Sequence, residues 1–319
     1  MKPSKVVITD HGFPHINQER EVLEGPGCEL IVAQARTAEE VIAVAAEADA
    51  LLVQWAPITA EVIRSLRRCR VIVRYGIGVD NVDLAAAREA GIPVCNVPDY
   101  GIDEVADHSV ALALALARQL PAIERRLRGG EWKLTPVTRM PAFREMTFAT
   151  AGFGRIARAV LERARGFKFK LAACDPYVAE AEFARARVDR WSLDEVFAQA
   201  DIVSLHLPLT EETRHVVNAA RLQHMKPHAI LINTARGPLI DTVALAAALQ
   251  ARQIASAGID VFEAEPLPTE HPLRACDTAL LTSHVAWFSE SSMPKLQLLA
   301  AQEVARALRD EPLRNPLKP

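Results

Sequence analysis

The sequence predicts an α/β protein with two doubly wound parallel sheets. Short apolar segments alternate with helical segments along nearly the whole chain, which is the pattern of repeated βα units. A glycine-rich turn follows one apolar segment at residues 152–157, in the middle of the chain rather than at its start. The length of 319 residues is enough for two domains that each bury their own core.

The first third of the chain contains five predicted strands, at residues 5–9, 29–33, 51–53, 71–74 and 93–96. Three helices are expected between them. Thr37 and Glu40 form a capping box for a helix that runs through Ala48. Helical segments near residues 60–66 and 84–90 complete the first set of βα units.

The remaining elements continue the alternation. A long helix is expected to begin near Asp103, and its residues 110–117 are apolar on nearly all sides, so it should be buried between layers or domains. Further strands are predicted at residues 147–151, 201–207, 228–233, 257–261 and 279–283. Helices are predicted after the capping pair Ser192 and Glu195, at 241–252 and at 291–308, the last returning to the first sheet.

The glycine-rich turn has the G-x-G-x-x-A spacing of a dinucleotide-binding fingerprint. Gly152 allows a tight strand-to-helix turn, and Gly154 lets the backbone approach a pyrophosphate. The small Ala157 permits close packing of the helix, whose N-terminal N–H groups and dipole favour phosphates. Asp175 follows the next apolar segment, where a carboxylate accepts hydrogen bonds from ribose hydroxyls and repels a 2′-phosphate. The fingerprint therefore predicts NAD rather than NADP.

The mid-chain position of the fingerprint predicts the domain organisation. We expect a Rossmann NAD-binding domain at residues 99–287, inserted into a flavodoxin-like substrate domain formed by residues 1–98 and 288–319. No low-complexity segment marks the boundaries, so they are inferred from the order of the elements. A cleft between two such domains is the expected place for chemistry.

Composition restricts the class of protein. A formal charge of -3 argues against a nucleic-acid-binding surface, and the longest apolar stretch is too short to span a membrane. The five cysteines lie far apart with no C-x-x-C pair, which predicts reduced thiols and no metal site. The N-terminus carries no secretory signal, so we expect a cytoplasmic protein.

Three titratable side chains, Arg236, Glu265 and His284, come just after predicted strands. The carboxyl ends of the strands form the crevice side of an open α/β sheet, beside a bound dinucleotide. An arginine binds a carboxylate through two parallel hydrogen bonds, and a histidine with a neighbouring glutamate donates a proton near neutral pH. With a nicotinamide, these groups meet the needs of 2-keto acid reduction. Glu263 is the alternative to Glu265.

The sequence resembles the D-isomer-specific 2-hydroxyacid dehydrogenases, and among them most closely the branch of the C-terminal-binding proteins. The matching motifs occur in order at residues 74–83, 96–100, 103–108, 175–177 and 286–290. Three positions depart from the family pattern: Ala157 replaces the third glycine, Ser283 replaces the usual proline, and the strand before the turn contains Ala149 and Thr150. Whether the last pair weakens NAD binding is left open.

The resemblance implies roles for individual residues. Arg236, Glu265 and His284 fall on the catalytic positions. Asp260 falls where the family holds the nicotinamide carboxamide. Further cofactor contacts are implied at Arg155, Ile156, His206, Pro208, Thr213, Thr234 and Ala235. The substrate carboxylate is expected at the backbone of Tyr75, Gly76, Ile77 and Gly78, and the pocket is expected to be shaped by Tyr100 and Trp287.

The resemblance also implies an activity. We expect an NAD-dependent oxidoreductase that interconverts a small 2-keto acid and a D-2-hydroxy acid, with the particular acid left open. A homodimer is expected through residues 120–144, which are rich in Arg, Trp and Met. The alternative is an NADH-dependent scaffold that binds peptides. The complete catalytic set, and a chain that stops at Pro319 without a long tail, favour the enzyme.

Overall fold

The computed structural model describes residues 3–25 and 27–317, and the chain divides into two compact units. One unit combines the residues up to Gly101 with those from Phe288 onward, and the other is Ile102–Trp287. The first division comes three residues later than the expected boundary at residues 98 and 99. Met1 and Pro319, the outer limits of the predicted domains, lie outside the described residues.

The first unit contains one parallel sheet. Its strands are β1 (Lys5–Ile8), β2 (Glu29–Val32), β3 (Ala50–Val53), β4 (Ile72–Arg74) and β5 (Val94–Cys95). The order β2-β1-β3-β4-β5, with every ladder parallel, is that of a flavodoxin-like doubly wound sheet. The helices between the strands are α1 (Asn17–Leu23), α2 (Ala38–Ala45), α3 (Ala60–Ser65) and α4 (Leu84–Glu89).

Two helices of this unit show what local sequence reports. The predicted capping box of α2 is confirmed, because Thr37 and Glu40 each accept a hydrogen bond from the other's backbone N–H. Helix α1 is not predicted from the sequence. Its buried positions are Glu19 and Leu23, which do not form an apolar stripe, and Ile16 provides no capping side chain.

The second unit contains a seven-stranded parallel sheet. Its strands are β6 (Thr147–Ala151), β7 (Lys170–Cys174), β8 (Asp189–Arg190), β9 (Ile202–Leu205), β10 (Ile230–Asn233), β11 (Ser256–Ile259) and β12 (Ala279–Leu281). Its helices are α5 (Ile102–Ala117), α6 (Leu120–Arg128), α7 (Arg155–Gly166), α8 (Glu180–Ala186), α9 (Leu193–Gln199), α10 (Ala219–Gln223) and α11 (Thr242–Gln250). The order β12-β11-β10-β9-β6-β7-β8 reverses direction between β6 and β9, which is the switch point of a Rossmann sheet.

The core of this unit lies on both faces of the sheet. Phe148 of β6 packs into the cluster that contains α5 and α7, whereas its neighbour Ala149 packs into the cluster that contains α9 and α11. The apolar helix α5 packs against α7, β10 and β11. The last helix, α12 (Ser292–Leu308), belongs to the first unit and packs against α1, β3 and β4.

Within residues 3–25 and 27–317, none of the helices has both the length and the apolar character that crossing a membrane requires.

Candidate active site

The glycine turn between β6 and α7 has the geometry that a bound pyrophosphate needs. Gly152 has a φ of 102°, and a Cβ there would lie 2.5 Å from the carbonyl oxygen of His206, so only glycine fits. Gly154 precedes α7 with no side-chain cap, and a Cβ there would meet nothing within 4 Å. Ala157 is buried. The open space and the uncapped helix N-terminus fit an anion.

Asp175 is tied to this turn. One of its carboxylate oxygens accepts a hydrogen bond from the Phe153 N–H at 3.0 Å, and the other accepts from the Tyr177 N–H at 3.0 Å. A carboxylate has about four acceptor sites, so two contacts leave capacity for ribose hydroxyls. The structure therefore brings the acid and the turn together, as the fingerprint predicts.

Other predicted cofactor residues lie at the carboxyl edge of the same sheet. His206 follows β9; its Nε2 is 2.9 Å from Ser204 Oγ, and burial lowers the pKa of the ring to about 3. His206 is therefore neutral near pH 7 and is not a proton donor. The Thr213 hydroxyl donates to the Pro208 carbonyl at 2.7 Å, which closes the turn that follows.

Thr234 is held by helix α5. Its hydroxyl lies 2.7 Å from that of Ser109, which already donates its own proton to the Val105 carbonyl. Because a hydroxyl has one proton, Thr234 donates to Ser109. The hydroxyl oxygen of Thr234 keeps only its acceptor capacity toward a ligand.

Arg236 follows β10 in a segment shaped by buried Asn233. The Asn233 side chain accepts from the Ala235 N–H at 3.0 Å and donates to the Arg236 carbonyl at 2.8 Å. The next residue, Gly237, passes so close to Phe262 that a Cβ would lie 1.9 Å from its backbone. This close approach brings Arg236 beside the segment that carries Glu265.

Glu265 and His284 form a direct pair. The Nδ1 of His284 lies 2.6 Å from Glu265 Oε2, and Glu265 Oε1 accepts from the Phe262 N–H at 2.9 Å. Burial acts to raise the pKa of Glu265, but the hydrogen bond and charge of His284, the Phe262 N–H and the charge of Arg236 together hold it below its usual value. Glu265 is then a carboxylate, so Nδ1 is the donor and Nε2 is the atom that meets a substrate.

Glu263, the alternative partner, lies elsewhere. Its carboxylate contacts Nε2 of His215 at 2.6 Å and accepts from both the backbone N–H and the hydroxyl of Thr242, at the start of α11. The structure therefore places Glu265, rather than Glu263, against the imidazole of His284.

Asp260, the residue expected to hold the nicotinamide carboxamide, is tied to the segment that carries His284. Its side chain has 0% exposure. Its carboxylate accepts from the Thr282 hydroxyl at 2.5 Å, the Val285 N–H at 3.0 Å and the Ala286 N–H at 3.0 Å. These bonds hold the loop that carries His284, and the expected contact of Asp260 with the nicotinamide carboxamide stays a prediction.

Two of the four backbone N–H groups predicted to bind the substrate carboxylate already have hydrogen-bond partners. The Tyr75 N–H donates to the Val53 carbonyl at 2.8 Å and the Gly76 N–H donates to the Arg74 carbonyl at 3.0 Å, so both are engaged. The Tyr75 ring is 1% exposed, with its hydroxyl on Glu19.

Ile77 and Gly78, the other two predicted positions, are partly exposed. Among the described residues, no group accepts from their N–H groups. Of the two aromatic residues predicted for the pocket, Tyr100 is buried, and the Trp287 indole donates to the His284 carbonyl at 3.0 Å.

Comparison with known proteins identifies the family. Residues 110–286, more than half of the chain, match the NAD binding domain of the D-isomer specific 2-hydroxyacid dehydrogenases. The chain belongs to this family. The matched region contains the glycine turn, Asp175, and the three side chains Arg236, Glu265 and His284.

Relatives of this chain carry different enzyme names. The D-3-phosphoglycerate dehydrogenase of Methanocaldococcus jannaschii is 35% identical over 309 residues, which cover 96% of this chain and 58% of that protein. The glyoxylate reductase of Thermofilum pendens is 35% identical over 297 residues, which cover 89% and 86% of the two chains. The present chain spans only 50% to 58% of the length of the D-3-phosphoglycerate dehydrogenases that it matches.

Solved structures in the family have the same fold. A glyoxylate reductase from Paecilomyes thermophila superposes with a TM-score of 0.89 at 28% identity, covering 99% of both chains. The D-lactate dehydrogenase of Aquifex aeolicus, solved with NAD and lactic acid, superposes with a TM-score of 0.88 at 27% identity, covering 96% of both chains.

Proposed function

We propose that this chain reduces a small 2-keto acid to the D-2-hydroxy acid with NADH and catalyses the reverse reaction. The observation that carries the proposal is the 2.6 Å contact between His284 and Glu265, with Arg236 near enough to affect the pKa of that glutamate. An acid, its orienting carboxylate and a carboxylate-binding fork are the three groups that keto-acid reduction takes from a protein.

The protein's part in the reaction is binding and proton transfer. Bound NADH supplies the hydride that the carbonyl carbon accepts. The turn at Gly152 and Gly154, the first residues of α7 and Asp175 are suited to hold the cofactor. Ile77 and Gly78 N–H groups are suited to hold the substrate carboxylate.

His284, protonated on both ring nitrogens, donates its Nε2 proton to the carbonyl oxygen. One hydride and one proton complete the alcohol, and His284 is left neutral. Glu265 keeps the ring oriented through Nδ1 and stabilises the charged form that precedes transfer. Arg236 binds the substrate carboxylate and carbonyl through its planar fork.

The activity is tested by following NADH oxidation with glyoxylate, hydroxypyruvate, pyruvate, phenylpyruvate and phosphonopyruvate. At least one should be turned over, and His284→Ala should lower kcat by about 10²–10⁴-fold with NADH affinity nearly unchanged. His224→Ala, an exposed histidine at the end of α10, is the control and should leave kcat unchanged. Near-wild-type reduction by His284→Ala would reject the proposal.

We propose that the enzyme prefers NADH because Asp175 stands where a 2′-phosphate would lie. One structural relative, an imino acid reductase, was solved with NADPH, so the preference needs its own test. Asp175→Ala should narrow the ratio of kcat/KM between NADH and NADPH. A wild-type enzyme with better efficiency on NADPH would contradict this role.

We also propose a homodimer formed through residues 120–144. Large apolar side chains in this stretch are exposed in the single chain, among them Leu120, Leu127, Trp132, Leu134 and Val137. Exposed apolar side chains clustered along one segment mark an association surface. Light scattering at micromolar concentration should give a dimer mass, and Leu134→Glu should give a monomer, whereas Val243→Glu, on an exposed position of α11, should not. A monomeric wild type would reject the dimer.

The second candidate is a peptide-binding scaffold like the C-terminal-binding proteins, the branch that residues 286–290 resemble. Capture of a short peptide motif without turnover of any of the five keto acids would favour it over the enzyme.

We also propose a cytoplasmic location, which the five unpaired thiols support.

A further inference from the structure

A hydrogen-bonded chain connects helix α5 to the loop that carries His284. We call residues 282–287 the catalytic loop. Nε2 of His108, on α5, lies 3.0 Å from the Thr282 hydroxyl, and that hydroxyl lies 2.5 Å from Oδ1 of Asp260. None of His108, Thr282 and Asp260 has a part in the proton transfer described above.

The direction of each hydrogen bond in this chain follows from counting protons. A carboxylate only accepts, so the single hydroxyl proton of Thr282 goes to Asp260. The Thr282 oxygen must then accept, and Nε2–H of His108 is the donor that faces it at 3.0 Å. His108 is thereby assigned a proton on Nε2, 3.7 Å from the Asp260 carboxylate.

Asp260 in turn fixes three consecutive N–H groups of the catalytic loop. Its backbone carbonyl accepts from the His284 N–H at 2.8 Å. Its carboxylate accepts from Val285 and Ala286, each at 3.0 Å. These bonds set the backbone path on both sides of the imidazole.

The backbone at His284 needs this restraint. Its φ of 55° lies in the left-handed region, which is unfavourable for a residue with a Cβ. Such a conformation persists only when its surroundings over-determine it. A small shift of the loop would move Nε2 relative to the substrate carbonyl, and catalysis is sensitive to misplacement by about 1 Å.

We propose that His108 and Thr282 are positioning residues for proton transfer by His284, acting through Asp260 on the catalytic loop. The inference rests on the proposed function, because His284 must be the proton donor. It adds two side chains to those proposed for catalysis. One of them, His108, belongs to the family motif at residues 103–108, for which no role has been given above.

The test compares two substitutions at each position, with the best of the five keto acids as substrate. Thr282→Val keeps the shape and removes the hydroxyl, whereas Thr282→Ser keeps the hydroxyl. Thr282→Val should lower kcat by about 10–100-fold, while KM for the keto acid and the Kd for NADH change less than about threefold. Thr282→Ser should restore kcat to within about threefold of wild type.

His108 is tested in the same way. His108→Leu removes the donor and should lower kcat as Thr282→Val does, and His108→Gln keeps an N–H donor and should recover most of it. The matched control is His228→Leu. His228 also contacts a buried aspartate, Asp201, with Nε2 to Oδ1 at 2.9 Å. Asp201 lies at the start of β9, whereas Asp260 lies at the carboxyl end of β11. The His228→Leu substitution should lower the melting temperature and leave kcat unchanged.

The outcomes separate this inference from the proposed function. Near-wild-type rates in His284→Ala would overturn the proposed function and this inference with it. A dead His284→Ala together with a fully active, folded Thr282→Val would overturn only the positioning role. The positioning role is equally overturned if Thr282→Ser is as slow as Thr282→Val, or if His228→Leu loses as much kcat as His108→Leu.

Discussion

The proposed chemistry at the scale of single residues depends on one imidazole, that of His284, whose two nitrogens have different partners. Nδ1 of His284 contacts Glu265 at 2.6 Å, so Nε2 is the nitrogen that faces a substrate. In the proposed reduction this carboxylate faces the protonated ring while Nε2 gives its proton to the substrate. Glu265 stays ionised because its neighbours hold its pKa low in spite of burial.

Glu265→Gln should shift the pH dependence of reduction. Removal of the carboxylate removes a favourable neighbour of the charged imidazole, so the high-pH limb of kcat/KM should move to lower pH. The measurement is NADH oxidation between about pH 5 and 9. Glu263→Gln, which does not touch His284, should leave the limb in place, and an upward shift in Glu265→Gln would show that the glutamate has another role.

Arg236→Lys should separate charge from geometry. Lysine keeps the positive charge but cannot form two parallel hydrogen bonds to a carboxylate. We expect KM for the keto acid to rise about 10–100-fold, the effect of losing one charge-assisted hydrogen bond. Saturation kinetics with NADH in excess gives the value. An unchanged KM would mean that the guanidinium of Arg236 does not bind the substrate carboxylate.

At the scale of elements, the site is assembled by segments that pass unusually close to one another. Gly237, after β10, runs against the backbone of Phe262, after β11, with no room for a Cβ. Gly152, after β6, runs against His206, after β9, in the same way. In parallel sheets the carboxyl ends of neighbouring strands meet at one edge, and glycine allows their loops to touch there.

Gly237→Ala should therefore disturb the site more than its size suggests. The added methyl would lie 1.9 Å from Phe262 backbone atoms, so the segments must separate and move Arg236 away from Glu265. We expect a stability loss of about 1–3 kcal/mol and a fall in kcat/KM of at least about tenfold. Gly166→Ala, at the end of α7 with nothing within 4 Å, is the control and should be neutral or stabilising. Equal behaviour of the two variants would refute the close-approach argument.

At the scale of the whole molecule, the second unit has a charged cluster at the end of the sheet opposite the site. Asp201 is buried just before β9 and accepts from the Thr147 N–H at 2.7 Å, Lys226 at 3.0 Å and His228 at 2.9 Å. Burial acts to raise its pKa, but these three contacts lower the pKa below its usual value. The cluster joins β6, β9 and the turn before β10, and it contributes to stability rather than to chemistry.

Asp201→Asn should change how stability depends on pH. A carboxylate with a lowered folded-state pKa stabilises the protein above its unfolded pKa of about 4, and this contribution is lost as pH falls through the folded value. The melting temperature of Asp201→Asn should therefore lie below wild type at about pH 6, and the gap should narrow as the pH falls below the unfolded pKa. Asp194→Asn, whose carboxylate is exposed, should show little difference at either pH. A gap that stays constant with pH would contradict the assignment.

The sequence by itself determined the fold class, the dinucleotide-binding fingerprint and the candidate catalytic residues Arg236, Glu265 and His284. Alternating apolar segments, the Thr37 and Ser192 capping boxes and the turn at residues 152–157 are local signals, since each depends on residues a few positions apart. The ends of the strands are predicted less accurately than their positions. Helix α1 is not predicted, because a buried glutamate interrupts its apolar face.

Only the tertiary structure decided how distant segments share their polar groups. The carboxylate of Asp260 holds the catalytic loop, and Tyr75 and Gly76 have their N–H groups engaged in their own unit. His108 and Thr282 are 174 residues apart in the chain, yet their side chains meet. Sequence patterns report the period of burial along one element, whereas the partner of a buried polar group depends on which elements the completed fold brings together.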